Sequence, residues 1–147
     1  MAKESKKSDR FWKQDPVESD FAGALDYLSL LMRPDAAEAL VEGLRNVAST
    51  QRKAKDLLRA TRLPLLNADD PLVAADLKKI KRKELLAPVL LVRGDTLGLN
   101  RPAEVADGYH RICASYHTDE SAEIPCRIAD PQEIPTGRTR KRGAEVT

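Results

Sequence analysis

The chain has 147 residues, of which 41% are hydrophobic, 33% charged and 4% aromatic, and its formal net charge is +2. That length supports one domain plus an appendage, with a core of Leu, Val, Ile and Ala that needs no disulfide or metal. No apolar run reaches the roughly 18 residues of a membrane span, and residues 1–14 lack the apolar stretch of a signal peptide. A cytoplasmic protein with no membrane partner is expected, with Cys113 and Cys126 as free thiols.

The charge is unevenly placed. Residues 1–14 hold five basic and two acidic side chains, and residues 136–147 hold four and one. Residues 1–19 are expected to be a disordered arm, with Phe11-Trp12 anchoring it on the body. Residues 131–147 read as a basic tail, and Arg138, Arg140, Lys141 and Arg142 make nucleic acid a candidate partner of the tails. The body between them is net acidic, so broad nucleic-acid affinity is not written over it.

Residues 20–61 are expected to form a two-helix extension. Phe21, Leu25, Leu28 and Leu31-Met32 recur at helical spacing, with Asp20 as N-cap. Pro34 opens a second helix, expected from Asp35 to about Thr61, with one stripe through Ala37, Leu40-Val41, Leu44, Val47-Ala48, Ala54 and Leu57-Leu58. That stripe needs a cover. Either the following domain or a second copy of the chain supplies it, so a homodimer through the extension is a candidate.

Residues 62–130 change in texture and read as a small α/β (or α+β) domain, a mixed sheet with flanking helices. Leu63-Pro64-Leu65-Leu66 is expected as an edge strand. Asp70 and Pro71 are an N-cap and first residue for a helix to about Lys83, whose late cations Lys78, Lys79, Lys81 and Arg82 suit the helix dipole. Pro88 to Arg93 is a continuous apolar strand, buried on both faces. A polar loop over Gly94 to Pro102 leads to a short strand at Ala103–Ala106. Then come the Asp107-Gly108 turn, a helix from Tyr109 to about His117, and a last strand over Ile124–Ala129.

The strand, Asp-Gly turn and helix have a chemical use. Gly108 lets the backbone turn sharply and lets a ligand approach. The first turn of the next helix offers unpaired N–H groups and the positive end of its dipole to an anion. His110 and Arg111 lie in that turn, and a guanidinium grips phosphate bidentately. Asp107 is a candidate proton acceptor or magnesium ligand, and His110 a candidate proton carrier. A structural pair capping the turn is the plainer reading of His110-Arg111. His110, Cys113 and His117, at i, i+3 and i+7, also resemble a metal spacing. Cys113 in the core and His117 as a helix-ending cation account for the same pattern.

Asp107-Gly108-Tyr109-His110-Arg111-x-x-Ala114, followed by Ile124-Pro125 and a strand, resembles the signature of the ParB/sulfiredoxin superfamily. The order before it is similar too: an LPL strand, a helix led by Asp70-Pro71, then Pro88-Val89-Leu90-Leu91-Val92. The resemblance covers residues 62–129 and leaves out the N-terminal helices. It implies a nucleotide or another phosphorylated small molecule bound at Gly108, Tyr109, His110 and Arg111. It further implies ATP or CTP as the nucleotide, with magnesium for any phosphoryl transfer or hydrolysis, in which Asp107 and His110 are the candidate catalytic groups. A non-catalytic adaptor or DNA-associated module that keeps the fold is the alternative. Tyr109 stands where sulfiredoxins carry their cysteine and Leu72 where they carry a lysine, so reduction of sulfinic acid is not expected. Partitioning proteins carry Gly-Glu-Arg-Arg at this motif, a poorer match than the Asp-Gly-x-His-Arg pattern.

Overall fold

A computed structural model describes residues 11–94 and 101–131. Most of the expected arm, most of the polar loop and nearly all of the basic tail lie outside the described residues. The elements run α1 (Glu18–Leu31), α2 (Pro34–Asn46), β1 (Thr50–Lys53), α3 (Ala54–Thr61), α4 (Pro71–Lys81), β2 (Val89–Val92), β3 (Glu104–Asp107), α5 (Tyr109–Thr118) and β4 (Glu123–Ala129). The protein is mixed α/β, with a four-stranded sheet in the order β1-β4-β2-β3. β4 runs antiparallel to β1 and parallel to β2, and β2 runs antiparallel to β3 with a register shift between Leu90 and Leu91.

β2 organises the core because its side chains alternate across the sheet. Val89 and Leu91 join one buried cluster with Leu57, Leu58, Val73, Ile112 and Ile124. Leu90 and Val92 join a second with Phe21, Leu28, Leu40, Leu44 and Ala106. Helices α3, α4 and α5 thus supply one face and α1 and α2 the other. Both faces are covered, which is why this strand reads as a continuous apolar run.

The long helix expected from Asp35 to Thr61 is broken into α2, β1 and α3. The cause is that its apolar positions serve two clusters. Ala37, Leu40, Val41 and Leu44 pack on one face of the sheet, and Ala54, Leu57 and Leu58 on the other. One straight helix cannot face both sides, so the chain crosses the sheet edge as β1, pairing Thr50 to Lys53 with β4. Segment 20–61 therefore holds three helices and a strand where two helices were expected. Its stripe is covered within the same chain.

Two further expectations need correction. Asp20 is not the N-cap of α1: Val17 occupies that position and Asp20 lies in the first turn. Leu63–Leu66 has no ladder partner among the described residues and is not part of the sheet. The other elements formed close to where the pattern placed them. Asp70 caps α4, accepting from the N–H of Leu72 at 3.0 Å and of Val73 at 3.1 Å. Trp12 is 5% exposed, and the Lys13 N–H donates to Leu86 O at 2.7 Å, so Phe11-Trp12 does anchor the chain on the body.

Leu44 is fully buried against the sheet. Leu44→Ala is expected to cost about 2–5 kcal/mol, read as a lower urea midpoint with an unchanged slope. An unchanged midpoint would place Leu44 outside the core.

Candidate functional site

β3 ends at Asp107 and the chain turns directly into α5 through Gly108. Gly108 has φ 117°, in the left-handed region that side chains disfavour. Space is short as well: a Cβ there would lie 3.0 Å from Val89 Cγ2 and 3.2 Å from Arg111 Nη2. No side chain caps α5, and its first helical bond is Ile112 N–H to Gly108 O at 3.0 Å. The N–H groups of Tyr109, His110 and Arg111 therefore open the helix without an intrahelical partner.

These groups border a cavity of about 430 Å³. Lys13, Lys79 and His110 stand on its wall beside Asp20, Asp76 and Asp107, with Leu72 and Leu85 giving an apolar side. The opposite charges are nearly balanced. Four of the five expected residues line it in their own right as Gly108, Tyr109, His110 and Arg111, and Asp107 joins them.

The side chains do different work. The Arg111 guanidinium is 13% exposed and has four protein partners, the longest contact being Nη1 to Pro88 O at 3.5 Å. Nη1 donates to Asp20 Oδ2 at 3.0 Å and to Ala87 O at 2.8 Å, and Nη2 donates to Asp107 Oδ2 at 2.9 Å. It therefore sits as the floor of the cavity, joining α1, β3 and the residue before β2. The Tyr109 hydroxyl donates to Pro64 O at 2.5 Å, away from the role of a phosphate ligand. His110 faces the cavity. His117 Nε2 lies 2.7 Å from Leu66 O, and Cys113 is fully buried. The i, i+3, i+7 residues thus have separate surroundings, and among the described residues no group of three acidic, His or Cys side chains converges.

Electrostatics follow from this packing. Burial, then the neighbouring Asp20 carboxyl, push Asp107 up to about 6 against the pull of Arg111. Burial also raises Asp76, opposed by Lys79, Arg111 and His110. Both cysteines are free, and burial raises both thiols, Cys126 to about 12.

Asp76 and Lys13 were not singled out by sequence reasoning, Asp20 was read only as a helix N-cap, and Lys79 was read chiefly as a dipole cation. For Asp20 no local signal exists, because its partner Arg111 lies 91 residues away.

No family model matches the chain, and neither does any curated protein or solved structure.

Two outcomes are expected. Arg111→Ala leaves two half-buried carboxylates side by side and is expected to lower stability by about 2–4 kcal/mol, measured by chemical denaturation. A loss within error of zero would mean that the guanidinium is not a structural tie. Asp107 binds its proton more tightly in the folded state than in the unfolded one. Its contribution to stability is therefore full below the unfolded carboxyl range, near ~4, and declines as pH rises through about 6. Asp107→Asn is expected to remove that part of the slope, and identical pH profiles of the urea midpoint would refute the assignment.

Proposed function

We propose that the protein binds a nucleotide or another phosphorylated small molecule in the cavity at the start of α5. The observation that carries this reading is the uncapped first turn of α5, which opens beside Lys13, Lys79 and His110. The backbone N–H groups of Tyr109, His110 and Arg111 hold the phosphate through direct hydrogen bonds and the helix dipole. Gly108 lets the phosphate come close. Lys13 and Lys79 add charge from the neighbouring wall. Arg111 contributes chiefly from below, through its backbone and the field of a guanidinium already held by carboxylates. The resemblance to the ParB/sulfiredoxin superfamily points to the same turn and to ATP or CTP.

A catalytic version of this reading gives Asp107 the role of proton acceptor and His110 that of a proton carrier or charge stabiliser. The raised Asp107 carboxyl suits a base working near neutral pH. Magnesium enters only with the ligand's own phosphates. That ion takes one or two carboxylates and fills its other positions with phosphate and water, and Asp107 already has one oxygen on Arg111.

The test is thermal and chemical stability of the full chain with ATP, CTP or inorganic phosphate, each with and without magnesium. A ligand at a hundred times its dissociation constant is expected to add about 2.7 kcal/mol. Lys79→Glu, an exposed change, is expected to weaken that ligand about tenfold or more. No stabilisation by any of the three at millimolar concentration would refute the reading.

A further inference from the structure

Leu63–Leu66 belongs to neither the sheet nor a helix, yet it is held in place. Two of its carbonyls are fixed by α5: the Tyr109 hydroxyl donates to Pro64 O at 2.5 Å, and His117 Nε2 lies 2.7 Å from Leu66 O. Tyr109, Cys113 and His117 are four residues apart in turn and so form one face of α5. In an extended chain the backbone groups of successive residues point to opposite edges, so those of residues i and i+2 share one. Pro64 and Leu66 therefore define an inner edge, fastened to α5. Proline, which has no N–H, stands on this inner edge, where none is needed. The N–H and C=O groups of Leu63 and Leu65 define the outer edge, and among the described residues no backbone bond uses them.

That outer edge borders a groove of about 630 Å³. Leu58, Leu63, Leu65 and Tyr116 give it an apolar lining, and Leu65 is 38% exposed. Lys55, Arg59 and Arg62 rim it against the one acidic lining residue, Glu120. Arg59 also meets the exposed Asp56 at 3.5 Å, a pair that water screens. The rim is net positive.

We infer that the Leu63–Leu65 edge and its groove dock an extended acidic peptide of a partner protein, which adds as a strand with its apolar side chains in the groove. Main-chain bonds to Leu63 and Leu65 give the pairing, alternate side chains fill the apolar lining, and carboxylates between them meet the rim. A second copy of this chain is disfavoured, because its own Lys55, Arg59 and Arg62 would approach their counterparts. The chain's own residues 138–142 are basic and are disfavoured for the same reason. This docking edge is separate from the phosphate cavity and does not rest on it.

The test uses the full chain and a fluorescein-labelled peptide alternating glutamate with leucine, compared with an oligothymidylate carrying the same label. Peptide binding is expected by fluorescence polarisation, with shifted and protected amides at Leu63 and Leu65 in NMR spectra. Joint Arg59→Glu and Arg62→Glu changes are expected to weaken it about tenfold or more, whereas Lys79→Glu at the other cavity leaves it unchanged. A peptide N-methylated along the pairing edge is expected to lose binding, and that control does not depend on any variant folding. Unmoved Leu63 and Leu65 amides, equal binding of the N-methylated peptide, or tighter binding of the oligothymidylate at the groove would each overturn the inference.

Discussion

The Arg111 guanidinium is the tie on which the arrangement of this protein depends. It holds Asp20 of α1, Asp107 of β3 and the Ala87 carbonyl just before β2. Two carboxylates this close repel each other, and burial raises the cost. A planar cation between them removes most of that repulsion and satisfies their lone pairs at once. A lysine would bring the charge but not the geometry, because an ammonium is a point charge without two parallel N–H bonds. Gly108 belongs to the same constraint, since any side chain there would press on both Val89 and the guanidinium.

This tie also decides how the N-terminal helices relate to the rest. α1 is fixed to the rest of the fold through three kinds of contact: the Arg111–Asp20 pair to α5, the Tyr27 hydroxyl donating to Glu104 of β3 at 2.6 Å, and the apolar cluster around Leu28 and Leu90. The Glu104 carboxylate that accepts this bond pushes the Tyr27 phenol up to about 12, which keeps it a donor at neutral pH. Apolar burial supplies most of the energy on that face and the polar contacts fix its position, because hydrophobic contact alone does not specify an orientation.

The sequence shows some of this and hides the rest for physical reasons. β2, α4 and α5 are legible because each depends on local chemistry: an unbroken apolar run, an Asp70-Pro71 cap, a Gly108 turn. The break between α2 and α3 is not legible. Leu44 and Leu57 fit one helical stripe, and only the position of the sheet shows that they face opposite sides of it. Leu63–Leu66 has the composition of a strand but lacks a ladder partner among the described residues, and pairing is a property of the whole fold. At the candidate site, the motif names Asp107 to Arg111, all of which line one cavity. It does not show that the Arg111 guanidinium is already occupied, because the occupying Asp20 comes from the far end of the chain. The plainer reading of Arg111 as a structural cation and the sharper reading of its turn as an anion site are thus both compatible with one geometry, the first for the side chain and the second for the backbone.

α5 gives these two roles a common frame. Its first turn borders the cavity lined by Lys13, Lys79 and Asp107, and the face that carries Tyr109 and His117 fixes Leu63–Leu66 from the inner side. A free extended segment must lose backbone entropy before it can accept a strand, about 1–2 kcal/mol for each residue ordered. Here much of that cost is met on folding, by contacts from a helix that is itself packed against the core through Ile112, Cys113 and Ala114. A partner peptide bears only its own ordering cost, which is the way preorganisation raises affinity without adding contacts. The same reasoning applies to the proposed anion site: its N–H donors are fixed in advance, because the Gly108 turn is packed against the Arg111 guanidinium and Val89. One rigid helix, fastened at both ends by residues distant in sequence, presents a fixed donor set at its start and a fixed strand edge along its flank.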